Sequence, residues 1–170
     1  MKINSIGVSL SLGIFGSLLA VALSKPFEIN LQRVFAQEVA SSCPLPEDQA
    51  AAFLDSKCKE VKLREPQTFF HYYSNDTNKR QRYLTTEEYQ TNVEAIKNLA
   101  LKQEWGNKAE KVISVILPAG TTIYEGIAAP QDPISCYPGG GQLTVIKDTR
   151  DPNIKWVEGS SLIVESFSCP

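Results

Sequence analysis

Apolar and polar positions change rhythm several times along this chain. After Lys2, residues 3–24 carry no charge and hold Ile6, Val8, Leu10, Leu12, Ile14, Phe15, Leu18, Leu19, Val21 and Leu23, an apolar run behind one positive residue. Residues 37–46 are polar and end in Cys43-Pro44-Leu45-Pro46, which predicts an extended linker because proline disfavours helix in the residue before it. Glu47–Lys57, with Ala50, Ala51, Ala52, Phe53 and Leu54, predicts one short helix. The aromatic run Phe69–Tyr73 (FFHYY) suits a strand, and Arg82–Leu84 suits a second, shorter one beyond the polar loop 74–81. Thr85 followed by Glu88 has capping-box spacing, and Tyr89, Val93, Ile96 and Ala100 then share one helical face, which predicts a helix over 86–101.

From residue 110 the period becomes that of strands. Lys111–Leu117 is β-branched and stops at Pro118-Ala119-Gly120, Thr121–Ile127 resumes, and Gln142–Ile146 alternates; 154–157 and 161–167 predict two more strands. The sum is an α+β fold with short N-terminal helices and a mostly antiparallel sheet, expected as one domain over 47–170.

The N-terminal run reads as an export signal, with a positive start and an apolar middle. Ala20-Val21-Ala22 and Val34-Phe35-Ala36 both offer small-residue cleavage sites, the second being preferred and placing the signal at 1–36. An uncleaved anchor is the alternative, since roughly 20 apolar residues can just cross a bilayer; membrane contact is expected only through this segment. Its removal takes three of 17 basic groups and one of 19 acidic groups, leaving about 130 residues with a net charge of −4. Such a chain lacks the basic surplus that nucleic-acid binding needs.

Cys43, Cys58, Cys136 and Cys169 all lie beyond the signal. An even count behind an export signal predicts disulfides and a secreted or periplasmic protein, whereas zinc would ask for paired Cys or Cys/His spacing, and His71 is the only histidine. No metal is expected. Three pairings are open; Cys43 with Cys58 and Cys136 with Cys169 is preferred, because the first pair flanks one short helical stretch and the second ties a loop to the C-terminus.

Candidate chemistry is sparse. Pro138 and Gly139, Gly140 and Gly141 suggest close backbone approach to an anion, yet this run enters a strand and lacks the Lys-Ser/Thr of a phosphate loop, so a tight turn explains it equally well. His71 is the one imidazole available for acid or base work, and a lone histidine in an aromatic strand is also an ordinary structural residue. No Ser-His-Asp or Cys-His triad can be assembled. Gln142, just after the glycines, offers an amide suited to a sugar hydroxyl.

The order FFHYYSN, RYLTT opening a helix, VISVILPAGTTIYEG and CYPGGGQLTVI, spanning residues 69–147, resembles the toxin branch of the ADP-ribosyltransferase superfamily, the NAD-glycohydrolase domains of the tuberculosis-necrotizing-toxin type. The resemblance implies a split antiparallel sheet and NAD, or a related nucleotide, as substrate with no separate cofactor. It implies His71 or Tyr72 as a first NAD-binding element, Thr85 and Thr86 as a second, and Gln142 as a third facing the nicotinamide ribose, with Arg82 as phosphate partner. Gln142 and His71 are thereby expected as the catalytic residues, and Tyr137, Gly140 and Gly141, which border the same strand, as further substrate-binding ones. Gln142 is followed by Leu143 and Thr144, so the superfamily's usual carboxylate is missing, which favours hydrolysis over transfer to a protein acceptor. An immunity or target protein would be a partner. The rival reading is a secreted, non-catalytic binding module for a protein or sugar.

Overall fold

In the computed structural model, residues 42–159 and 161–169 are described. The proposed signal or anchor at 1–36 lies outside them, as does the linker up to residue 41. What remains of that linker is built into the core: Cys43 and Leu45 are buried, and Cys43 N–H donates to the Ser56 carbonyl at 3.0 Å.

The chain is α+β, with few helices and two antiparallel sheets. Strands β1 (Lys59–Lys62), β3 (Tyr83–Leu84), β5 (Thr122–Ile127) and β6 (Gln142–Ile146) form one sheet in the order β1-β5-β6-β3; β2 (Gln67–Tyr73), β4 (Lys111–Leu117) and β7 (Lys155–Glu158) form the other in the order β2-β4-β7. Helix α1 covers Glu47–Ala50 and α2 covers Asn92–Asn98. At the seam between the sheets Phe70 N–H donates to Thr85 O at 2.8 Å, and Thr85 N–H donates to Phe70 O at 2.9 Å.

Alternation along β2 explains how three layers meet. Phe69 and Tyr73 point to one face, where they join Leu84, Ile113, Val115, Leu117, Ile123 and Ile146 in the core between the sheets. Tyr72 points the other way, into a cluster with Ala95, Ile96 and Ala100 of the α2 region. Phe53, Tyr124, Leu143 and Val145 make a third cluster with Cys43 and Cys58 under the N-terminal segment.

Four sequence expectations change. The helix over Glu47–Lys57 is one α-turn and a 3-10 turn, Leu54–Ser56, because Phe53 is extended, bridges Ala128 and is fully buried there. Burial of one phenyl ring, about 2 kcal/mol, outweighs the small helical preference of a short alanine run. The helix over 86–101 starts six residues late. Its capping box is Thr91 with Glu94, not Thr85 with Glu88: Thr91 Oγ1 accepts from Glu94 N–H at 3.1 Å, and Glu94 Oε2 accepts from Thr91 N–H at 3.2 Å. It ends early too, since Ala100 has a left-handed φ of 50°. No strand forms over 161–167; Ile163 makes a single bridge to Thr91, and the buried Asn92 clamps Glu165, donating to its carbonyl at 3.0 Å and accepting from its N–H at 2.7 Å. The edge strand β1 was not expected, because KEVK shows too little apolar alternation; its lysines suit an exposed edge.

Both preferred disulfides are formed, Cys43–Cys58 and Cys136–Cys169. Among the described residues no helix is long and apolar enough to cross a membrane.

Candidate functional site

A cavity of about 530 Å³ lies where β2, β3 and β6 meet. Its floor is His71 and Tyr72 of β2, Tyr83 and Leu84 of β3, and Leu143 of β6. Asp48, Ala51 and Ala52 of the N-terminal segment also line it, as do Leu99, Ala100, Leu101 and Trp105 just beyond α2. Side-chain amides close the remainder: Asn78, Gln81, Asn107 and Gln131. Trp105 is 57% exposed, an unusual state for the largest apolar side chain. Asp48 is the one acidic lining residue, and no lysine or arginine lines the cavity among the described residues.

His71 sits deep in this floor with both ring nitrogens engaged. Nδ1 lies 2.8 Å from Tyr83 O and Nε2 lies 2.7 Å from Asn78 O. These contacts brace the segment 78–83, which supplies much of the cavity lining, against β2. A neutral imidazole carries one N–H, so only one contact is a hydrogen bond at a time. Burial lowers His71 from its ordinary pKa, and the two carbonyls partly oppose that shift because both favour the protonated ring.

The segment after β3 ties three sequence candidates together. Thr85 is fully buried, and its Oγ1 accepts from Glu87 N–H at 3.1 Å. Tyr72 Oη accepts from Tyr89 N–H at 2.5 Å, and burial pushes the Tyr72 phenol up to about 12. Glu87 Oε2 accepts from Gln142 N–H at 3.1 Å and also from the Tyr89 hydroxyl. Burial raises the Tyr89 phenol as well, with that carboxylate adding to the rise. Glu87 thus sits beside Gln142, a neighbour that sequence spacing alone does not reveal because 55 residues separate them.

Gln142 itself is exposed and does not line the cavity; Leu143 does. On β2 and β3 two consecutive residues line the cavity, whereas on β6 only Leu143 does. The glycines before it are occupied. Gly139 N–H donates to Lys97 O at 3.0 Å, Gly140 N–H to Ala128 O at 3.0 Å and Gly141 N–H to Asn98 O at 2.9 Å, so none is free to hold an anion. Gly139 and Gly140 have φ of 67° and 94°, as a tight turn requires. Gly141 is needed for approach: a Cβ there would stand 2.5 Å from the Tyr89 hydroxyl and 2.9 Å from Asn98 O.

Of the remaining candidates, Tyr137 is buried against Phe167, with its hydroxyl accepting from Gln103 N–H at 3.3 Å. Thr86 is exposed, and Arg82 is half-buried beside the cavity residue Tyr83. Tyr83, Trp105, Gln131 and Asp48 were not singled out from sequence. Tyr83 was legible as part of RYLTT; the other three come together only through the fold. No group of three or more His, Cys, Asp or Glu could hold a metal ion among the described residues.

A two-sheet α+β architecture with its cleft at the sheet junction defines the structural class. No protein-family model and no curated protein matches the chain. Among solved structures, the chain is similar to one in the structure of Tne2 in complex with Tni2, with a TM-score of 0.53 and 19% identity over 64% of this chain and 95% of that one. At that identity the likeness concerns the fold.

Proposed function

We propose that this chain binds NAD in the cavity between β2, β3 and β6 and hydrolyses it to nicotinamide and ADP-ribose. The observation that carries the reading is the convergence of those three elements: they are the segments to which the sequence resemblance assigns NAD contacts, and they line one cavity. The fold shared with a chain of the Tne2–Tni2 complex supports it, and suggests a protein partner for this chain too.

In this reading the nicotinamide end enters against Tyr83 and Trp105, with the amide of Gln131 beside its carboxamide and ribose hydroxyls. Arg82, just outside, pairs with the pyrophosphate. Water attacks the anomeric carbon as the ring nitrogen takes the bonding pair; nicotinamide leaves neutral, and the water's second proton goes to solvent. Positive charge moves from the nicotinamide ring to the ribose in the transition state, so only a group nearer to the ribose than to the ring favours that state over the ground state. Gln142 and Glu87 border the site at the start of β6. The two formed disulfides suit action in a non-reducing compartment.

A second reading is favoured by two observations: Leu143 is the β6 residue facing the cavity, and both His71 nitrogens are engaged. On that reading the domain binds its ligand without turnover. The test is nicotinamide release from NAD by the oxidised protein, with calorimetric NAD binding alongside. Turnover supports hydrolysis, and binding without turnover supports the second reading. Neither turnover nor binding at millimolar NAD refutes both.

A further inference from the structure

One imidazole pins both ends of a segment that lines the cavity. His71 Nε2 lies 2.7 Å from Asn78 O and Nδ1 lies 2.8 Å from Tyr83 O, and Asn78, Gln81 and Tyr83 of that segment all belong to the lining. Between the two pins, Lys79, Arg80 and Gln81 make no backbone–backbone hydrogen bond among the described residues. A carbonyl oxygen only accepts, so each contact needs an N–H on its ring nitrogen. The neutral ring has one N–H, and its other nitrogen then turns a lone pair toward an oxygen at hydrogen-bond distance. Only the imidazolium satisfies both carbonyls. The ring is buried, so water does not relieve the mismatch. The two ends are unequally held by the rest of the fold. Tyr83 pairs with Val145 of β6. Asn78 is tied chiefly within its own loop, its Oδ1 accepting from Ser74 N–H at 3.1 Å and Asn75 N–H at 3.0 Å, with one long bond from Nδ2 to Gly106 O at 3.4 Å.

We infer that His71 is a proton-operated clamp on the cavity lining: as imidazolium it donates to both carbonyls and holds segment 78–83 in place, and as neutral ring it keeps Tyr83 O and releases Asn78 O. The groups around the ring come from every element packed on it. Tyr73 of β2 stacks on it at 6.2 Å, with Lys79 and Lys111 at 5.8 and 5.9 Å from the centre of that tyrosine ring. Tyr83 of β3 carries opposing influences from Arg82 and Asp48. β4 places Ile113 opposite His71, and β7 sets Trp156 edge-on at 6.3 Å, with Glu158 paired to Lys79 at 3.2 Å. No charged side chain among them bonds to the imidazole, so burial, which lowers its pKa, and the two carbonyls, which raise it, set the balance. The clamp therefore closes in acid, below the ordinary histidine value of 6.5. A ligand that needs Asn78, Gln81 and Tyr83 in place takes up a proton as it binds. This holds whichever ligand the cavity takes, so it stands apart from the NAD reading.

His71 is the only histidine, so nitrogen NMR reads its ring without overlap on the oxidised full chain, free of ligand. The titration runs from about pH 8 down to about pH 4, which brackets the ordinary histidine pKa. The ring passes from one N–H, on Nδ1, to two. Relaxation dispersion at the amides of Lys79, Arg80 and Gln81 reports the detached form of the segment, and its population falls at least about tenfold across the same titration, the effect of gaining one charge-assisted hydrogen bond. His71→Gln, which carries no titrating proton, keeps that population constant with pH. Three wild-type results overturn the inference: a ring that stays neutral until the chain unfolds, a ring that is charged throughout, or a segment whose motion ignores the titration. A pH step that survives His71→Gln overturns it as well, and the wild-type titration decides alone if that variant does not fold.

Discussion

Replacing Cys43 and Cys58 together by Ala isolates what one bridge does for both stability and the cavity. The bridge closes a loop with a sequence separation of 15, and Cys136–Cys169 closes one of 33. Chain entropy then gives about 3 kcal/mol for the first and about 3.7 kcal/mol for the second. For a domain of this size, about 4 °C per kcal/mol, the expected falls in Tm are about 12 °C and about 15 °C. Binding reverses that order. The shorter loop contains three lining residues of the cavity, Asp48, Ala51 and Ala52, whereas the longer loop contributes only Leu143. Hydrogen bonds from Cys43 N–H to Ser56 O and from Ala129 N–H to Ala52 O retain part of this lining, so the variant stays folded but loosened. Circular dichroism melts and NAD calorimetry, on both double variants under oxidising conditions, read the two quantities. The reasoning fails if the Cys136/Cys169 variant loses at least as much affinity as the Cys43/Cys58 variant.

Other outcomes follow from single contacts. Thr91→Ala removes the hydroxyl that caps α2 and lowers stability by about 1 kcal/mol in urea denaturation, while Thr85→Ala leaves helix content unchanged by far-UV circular dichroism. Gly141→Ala drives a methyl group into the Tyr89 hydroxyl and Asn98 O; a melt at least as stable as wild type would refute that packing. Because burial lowers the His71 pKa in the folded state, the unfolded chain binds the extra proton below pH 6.5. Stability therefore falls as pH drops through that value toward the folded pKa, by at most about 1.4 kcal/mol per pH unit, and this component is absent in His71→Asn.

Much of the fold could be read from β-branched and aromatic runs bounded by turn residues, because β2, β4, β5 and β6 are such runs and bury most of their length, consecutive residues included. Where tertiary contacts override local preference, the reading missed. Phe53 leaves a helical run to fill a hole beside Ala128, and Tyr89 is drawn to Tyr72 before α2 begins. The site was half legible. RYLTT and the glycine turn lie on or beside strands that line the cavity, but the glycines serve backbone carbonyls, and the β6 residue in the cavity is Leu143. Asp48, Trp105 and Gln131 carry no local signature; each is an ordinary surface residue until three distant segments converge.

The seam between β2 and β3 gives the molecule a mechanical property. Two hydrogen bonds at Phe70 and Thr85 join the strands there, and Tyr72 and Tyr83, each two residues along its strand from that pair, line the cavity. Anything seated across that line acts as a clasp. Its grip opposes the parting of the two halves, so occupancy is legible in amide exchange at Phe70 and Thr85, even for a ligand that is never chemically changed.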